Sequence, residues 1–167
     1  MNDHPNLPAL PATPPEAAPP RLPRWAALTL AGLAGAVTVN LLNEGVRRVL
    51  PHAPRMEVIG ERALSAGLLA LGQEPPRGRA LYATTLAADL ASNTVYYALA
   101  GLGGAARAPA LGTALGVAAG VGGAALPPRL GLGHQPHERP QTLLLTAAWY
   151  TLGGLVAGAV YRKLEGE

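Results

Sequence analysis

TLLLTAAWYTLGGLVAGAVY, residues 142–161, runs for twenty residues without a charged side chain. About 20 predominantly apolar residues is the length a helix needs to cross the hydrocarbon of a bilayer. A water-exposed helix of that length keeps a polar face, and this one is apolar almost all round. PALGTALGVAAGVGGAAL, residues 109–126, is also free of charge. Residues 80–106, bounded by Arg79 and Arg107, contain Asp89 as their only charge, and WAALTLAGLAGAVTVNLL, residues 25–42, has Asn40 as its one strongly polar member. Four such segments cannot all be interior in a soluble chain of 167 residues. The sequence therefore predicts an all-α fold, a small multi-pass membrane helix bundle with four transmembrane helices at about 25–50, 80–106, 109–126 and 142–161.

Composition points the same way, because 49% of the residues are hydrophobic and only 14% charged, too few to coat a water-facing surface. The apolar run at residues 25–42 exceeds the roughly 7 to 15 residues of a secretory signal, so it is expected to stay as a span. The chain has no cysteine, which excludes a disulfide framework and a thiolate metal site. Twelve of the thirteen basic residues are Arg, Phe is absent, and Ala, Gly and Pro are heavily used, the signature of a high-GC coding sequence. The bacterial inner membrane is the location this predicts.

Outside the spans, residues 1–24 hold eight prolines and few core-forming residues, and are expected to be a disordered, proline-rich tail ahead of a membrane domain at 25–167. Between Pro54 and Pro75, Glu57, Glu61 and Ser65 recur at i, i+4 and i+8. That stripe predicts an interfacial or re-entrant helix over about 55–72, too charged at its start for a fifth span. No internal repeat supports an inverted-repeat transporter.

Small residues give the helices their packing surfaces. Gly112, Gly116 and Gly120 stand four apart, and Gly154 and Gly158 repeat the spacing, a glycine zipper that clears one helix face for close backbone approach. Its implied role is helix packing, within the chain or between copies in a homo-oligomer.

Chemistry-bearing residues are few. In LAADLASNTVYY, residues 86–97, Asp89, Ser92, Asn93 and Tyr96, preceded by Thr85, form a polar stripe along one side of a helix. An ionised Asp costs about 2.5 to 3.5 kcal/mol at the centre of a span. Asp89 can offset this by keeping its proton, by pairing with a cation on another helix, or by reaching water along the stripe. A second polar group follows the first span: Asn40, Glu44, Arg47, Arg48 and Arg55, where Glu44 faces both Arg47 and Arg48. Arginine forks there suit lipid phosphate, or simply snorkel to headgroups. His134, His137 and Glu138 lie close in sequence, but Pro136 prevents their helical presentation and no HExxH or HxxEH occurs, so no metal and no cofactor is expected.

No GxxxxGK[ST] and no GxSxG is present. A net charge of +3 with scattered arginines gives no nucleic-acid stripe, and membrane lipids, the anionic ones included, are the expected partners. The leading functional expectation is a non-enzymatic structural or accessory membrane protein. The alternatives are a small transporter or channel using the stripe around Asp89, and a lipid-headgroup-binding or lipid-modifying protein using residues 44–62. For orientation, Arg47, Arg48, Arg55, Arg62, Arg77, Arg79, Arg129 and Arg139 fall on one side and Arg21, Arg24, Arg107, Arg162 and Lys163 on the other. The positive-inside rule then predicts both termini outside the cytoplasm.

Overall fold

The structure is a computed structural model and describes residues 22–50, 55–134 and 140–166, apart from the Arg47 side chain. Most of the proline-rich tail, and Pro136, His137 and Glu138 of the histidine loop, lie outside the described residues. The described residues form five α-helices and no strand: α1 (Arg24–Arg47), α2 (Met56–Ala70), α3 (Arg79–Ala98), α4 (Ala108–Arg129) and α5 (Pro140–Gly166), with a 3-10 turn, Leu99–Gly103, after α3.

Three segments, Arg24–Val46 in α1, Ala108–Arg129 and Pro140–Gly166, are long and apolar enough to cross a membrane. The expected span at residues 80–106 does not join them. Its α-helix is 20 residues, roughly 30 Å at 1.5 Å per residue, which matches the hydrocarbon thickness. Asp89, Ser92, Asn93 and three threonines lower its hydropathy, however. It also ends earlier than expected, because the glycines at 101, 103 and 104 favour the tighter 3-10 turn, and Gly104 at φ 79° redirects the chain into α4. At the other connection α4 runs past the expected end at 126, through Pro127 and Pro128 to Arg129. Proline costs a helix its N–H bond and crowds the preceding turn, and in the final turn few turns remain to be disturbed.

The glycines set how the helices cross. A Cβ on Gly112 would strike the Gly154 carbonyl, one on Gly116 the backbone of Tyr150 and Thr151, and one on Gly120 the backbone of Ala147. A Cβ on Gly158 would strike Ala108. Rising numbers on α4 meet falling numbers on α5, so the two helices are an antiparallel, backbone-to-backbone pair within one chain. The same reading holds for α1 against α5, where Gly35 abuts Gly153 and Ala157 while Val39 abuts Gly153. It holds again for α1 against α3, where Gly32 abuts Thr94 and Ala98 and Asn40 meets Asp89. Thus α1 and α4 run in one direction and α3 and α5 in the other. Buried residues on α5, Thr142, Thr146, Trp149, Gly153, Ala157 and Tyr161, recur at helical spacing on the face that meets α1 and α4.

The remaining helix, α2, is peripheral. It packs on α3, buries only Ile59, and leaves Leu69 and Leu71 exposed. Arg62 ties it to the α4–α5 connection by donating from Nη1 to the carbonyls of Leu132 at 2.8 Å and His134 at 3.1 Å.

Candidate functional site

In lipid a helix hydroxyl has no water to bond, and it is satisfied by folding onto the carbonyl one turn back. Thr29, Thr38, Thr84, Thr94, Thr113, Thr146 and Thr151 all do so, at 2.7–3.0 Å. Thr85 does not. It is 6% exposed, and its Oγ1 is buried without a hydrogen-bond partner. The Oδ1 of Asn43 is buried and unpartnered as well.

Both residues line a cavity of about 420 Å³ between α1, α2, α3 and α5 that opens to the outside. Its walls are mostly apolar, with Val37 and Leu41 from α1, Ile59 from α2 and Leu90 from α3, while Trp149 and Tyr150 come from α5. Gly60 lets α2 lie over this space, since a Cβ there would come within 2.8 Å of the Thr85 methyl.

Asp89 lies on the cavity wall between two amides. Asn40 Nδ2, on α1, donates to Oδ2 at 3.0 Å, and Asn93 Nδ2, one turn along α3, donates to Oδ1 at 3.0 Å. Asn40 Nδ2 also donates to the Ala36 carbonyl at 3.0 Å, which holds the amide across the α1–α3 crossing. Both carboxylate oxygens therefore act as acceptors. Among the described residues no cation is paired with Asp89.

The polar stripe read from the sequence divides. Asp89 and the buried Asn93 face inward, whereas Ser92 is exposed and bonds only the Asp89 backbone carbonyl at 3.1 Å. Tyr96 turns away, donating to the Leu115 carbonyl on α4 at 2.9 Å, and its neighbour Tyr97, fully buried, donates to the Tyr150 carbonyl on α5 at 2.8 Å. The second polar group divides as well. Asn40 joins Asp89, while Glu44 lines the cavity and takes Arg48 at 3.1 Å. Arg55 donates to Glu57, another lining residue, at 2.8 Å. One cavity thus draws on residues that the sequence divides between two sites.

Thr85, Asn43, Tyr82 and Trp149 complete the constellation without having been singled out as site residues. Two of them carried a usable signal: Thr85 stands one turn before Asp89 on the polar stripe, and Asn43 stands beside Asn40 at the end of an apolar run. Among the described residues, no group of three His, Asp or Glu side chains is arranged to hold a metal ion. Comparison of the chain with family models, with curated proteins and with solved structures gives no match.

Proposed function

We propose that this is a four-span membrane protein of the small-carrier type, in which the cavity beside Asp89 binds a small molecule entering from the α2 side. The long apolar helices support membrane embedding. Topology supports the fourth span: α1 and α4 run in the same direction, so a chain leaving the membrane after α1 must return before α4 begins. Only α3 between them is long enough to make that return. Its polar residues are turned inward, Asp89 to α1, Tyr96 to α4 and Tyr97 to α5, and its exposed Val95 suits lipid.

The observation that carries the binding reading is a cavity of about 420 Å³ lined by Asp89 together with Thr85 and Asn43, whose hydroxyl and carbonyl oxygens are buried and unpartnered. A purely structural polar network satisfies its own members, because a buried polar atom left unbonded costs about 1–3 kcal/mol. Closure of Asn93 and Tyr96 over Asp89 with no cavity would favour a structural role; Asn93 does bond Asp89, but Tyr96 is bonded to α4 and Asp89 lines a cavity. A headgroup-phosphate site is less well supported, since Arg48 and Arg55 are each occupied by a carboxylate.

The absence of cysteine makes the test simple. In sealed vesicles, Thr85→Cys should react with a membrane-impermeant thiol reagent added from one side, whereas Leu33→Cys, on the outer face of α1, should not. A Thr85→Cys protein that stays unreactive from both sides would remove the ligand-binding reading.

A further inference from the structure

We propose that the cavity takes a small organic monocation, a protonated amine on a compact apolar body, with its ammonium group against Asp89. This rests on the ligand-binding reading above and adds the chemical class. The argument is one of donors and acceptors. Each Asp89 oxygen accepts one amide bond and keeps a lone pair. Asn43 Oδ1 is an acceptor only, and Thr85 Oγ1 can accept. An ammonium group has three donors and no acceptor, which matches the acceptors of Asp89 and Asn43, while the Thr85 hydroxyl can accept from it.

Charge narrows the choice further. Asp89, Glu44 and Glu57 all line the cavity, and with the two glutamates balanced by Arg48 and Arg55 an anion would still meet the like charge of Asp89. The arginines at the rim are engaged by Glu44 and Glu57, and no described cation reaches Asp89. With a neutral ligand Asp89 would have to keep its proton or stand unbalanced in a low-dielectric wall. Size excludes a bare inorganic ion as the full occupant, because about 420 Å³ bounded by Val37, Leu41, Ile59 and Leu90 has room for an apolar body. The aromatic rings of Tyr82, Trp149 and Tyr150 line the same space, and ring faces attract cations.

Trp149 supplies the readout. The chain has two tryptophans, Trp25 71% exposed and Trp149 5% exposed on the cavity. In a full-length Trp25→Phe protein purified in detergent, Trp149 emission is titrated with 2-phenylethylammonium, with its neutral analogue 2-phenylethanol, and with sodium chloride. The amine should give a saturable change at concentrations at least about tenfold below the alcohol, a difference of about 1.4 kcal/mol. Asp89→Asn should abolish that preference, and Thr85→Val, which keeps the side-chain shape, should weaken the amine several-fold. If Asp89→Asn does not fold, the amine-to-alcohol ratio and Thr85→Val decide the matter. Equal binding of amine and alcohol, or saturation by sodium alone, would overturn the organic-cation assignment. No response to either organic probe in a protein whose Thr85→Cys form is labelled would also overturn this assignment while leaving the open cavity intact. Absence of labelling removes the binding reading itself.

Discussion

The α4–α5 pair and the region around α2 are built from the same small-residue vocabulary and packed to opposite ends. On α4, each of Gly112, Gly116 and Gly120 lies where a single Cβ would collide with the backbone of α5. On the other side, Gly45 and Gly67 have nothing within 4 Å of where a Cβ would stand, α2 buries one residue, and a cavity of about 420 Å³ persists. In lipid, helix association depends on packing and interhelical hydrogen bonds, since burial of apolar surface adds little. Close packing therefore holds one half together. On the other side α1 and α3 also meet backbone to backbone at Gly32, and polar contacts, Asn40 to Asp89 and Arg62 to the α4–α5 connection, tie the part that lies toward α2. The lesson is that a glycine's spacing shows where helices can touch, while what stands opposite shows whether they do.

Substitutions can break this contrast, and the largest effect belongs to the tight side. Gly116→Leu must separate two backbones, and it should cost about 3 kcal/mol or more, read as loss of folded protein or a large fall in thermal midpoint in detergent. Gly67→Leu, the same change at an open position, should leave the midpoint within about 0.5 kcal/mol. Equal effects at the two positions would erase the distinction.

Next in size is the interhelical bond on the open side. Asn40→Leu removes the amide from a carboxylate and should destabilise by about 1.5–3 kcal/mol, measured by thermal or denaturant unfolding. Tyr97→Phe, which removes one neutral hydrogen bond to the Tyr150 carbonyl, should cost about 0.5–1.5 kcal/mol. If Tyr97→Phe costs more than Asn40→Leu, Asp89 is not the principal polar tie between α1 and α3.

The smallest effect on global stability is expected at Arg62, whose contacts are exposed. Arg62→Ala should change the thermal midpoint by less than about 1 kcal/mol. Because the loss is local, it should instead speed hydrogen exchange or proteolysis in α2 while α4 and α5 keep their protection. Uniform loosening of all helices would mean that α2 is integral to the bundle and not peripheral to it.

How far the sequence could be read follows the same division. The segments at 25–42, 109–126 and 142–161 declare themselves because uncharged length is a local property. The pairing of Gly112 with Gly154 was half legible: the spacing named both faces, and their meeting within one chain depends on antiparallel register. The cavity was least legible. Asn40 and Asp89 are 49 residues apart, and they meet only because α1 and α3 cross at Gly32, whose neighbouring leucines and alanines gave no sign of it. Ser92 and Tyr96 share the sequence stripe with Asp89, yet a stripe fixes spacing and not which neighbour each residue faces. Thr85 was legible as the head of the stripe, but that its hydroxyl lacks a partner was not, and the seven threonines that fold back on their own helices make it stand out.

Everything proposed for the cavity requires α3 to lie across the membrane with its polar side inward, although Asp89 and its neighbours keep it less apolar than α1, α4 and α5. The direct measurement places a reporter active only in the cytoplasm after Gln73, before α3, and after Gly104, beyond it. The account predicts activity at Gln73 and silence at Gly104, with a fusion after Glu167 also silent, because α4 and α5 form a hairpin that returns to the same side. Activity, or silence, at both Gln73 and Gly104 would put the two ends of α3 on one side of the membrane and contradict the bundle on which the site depends.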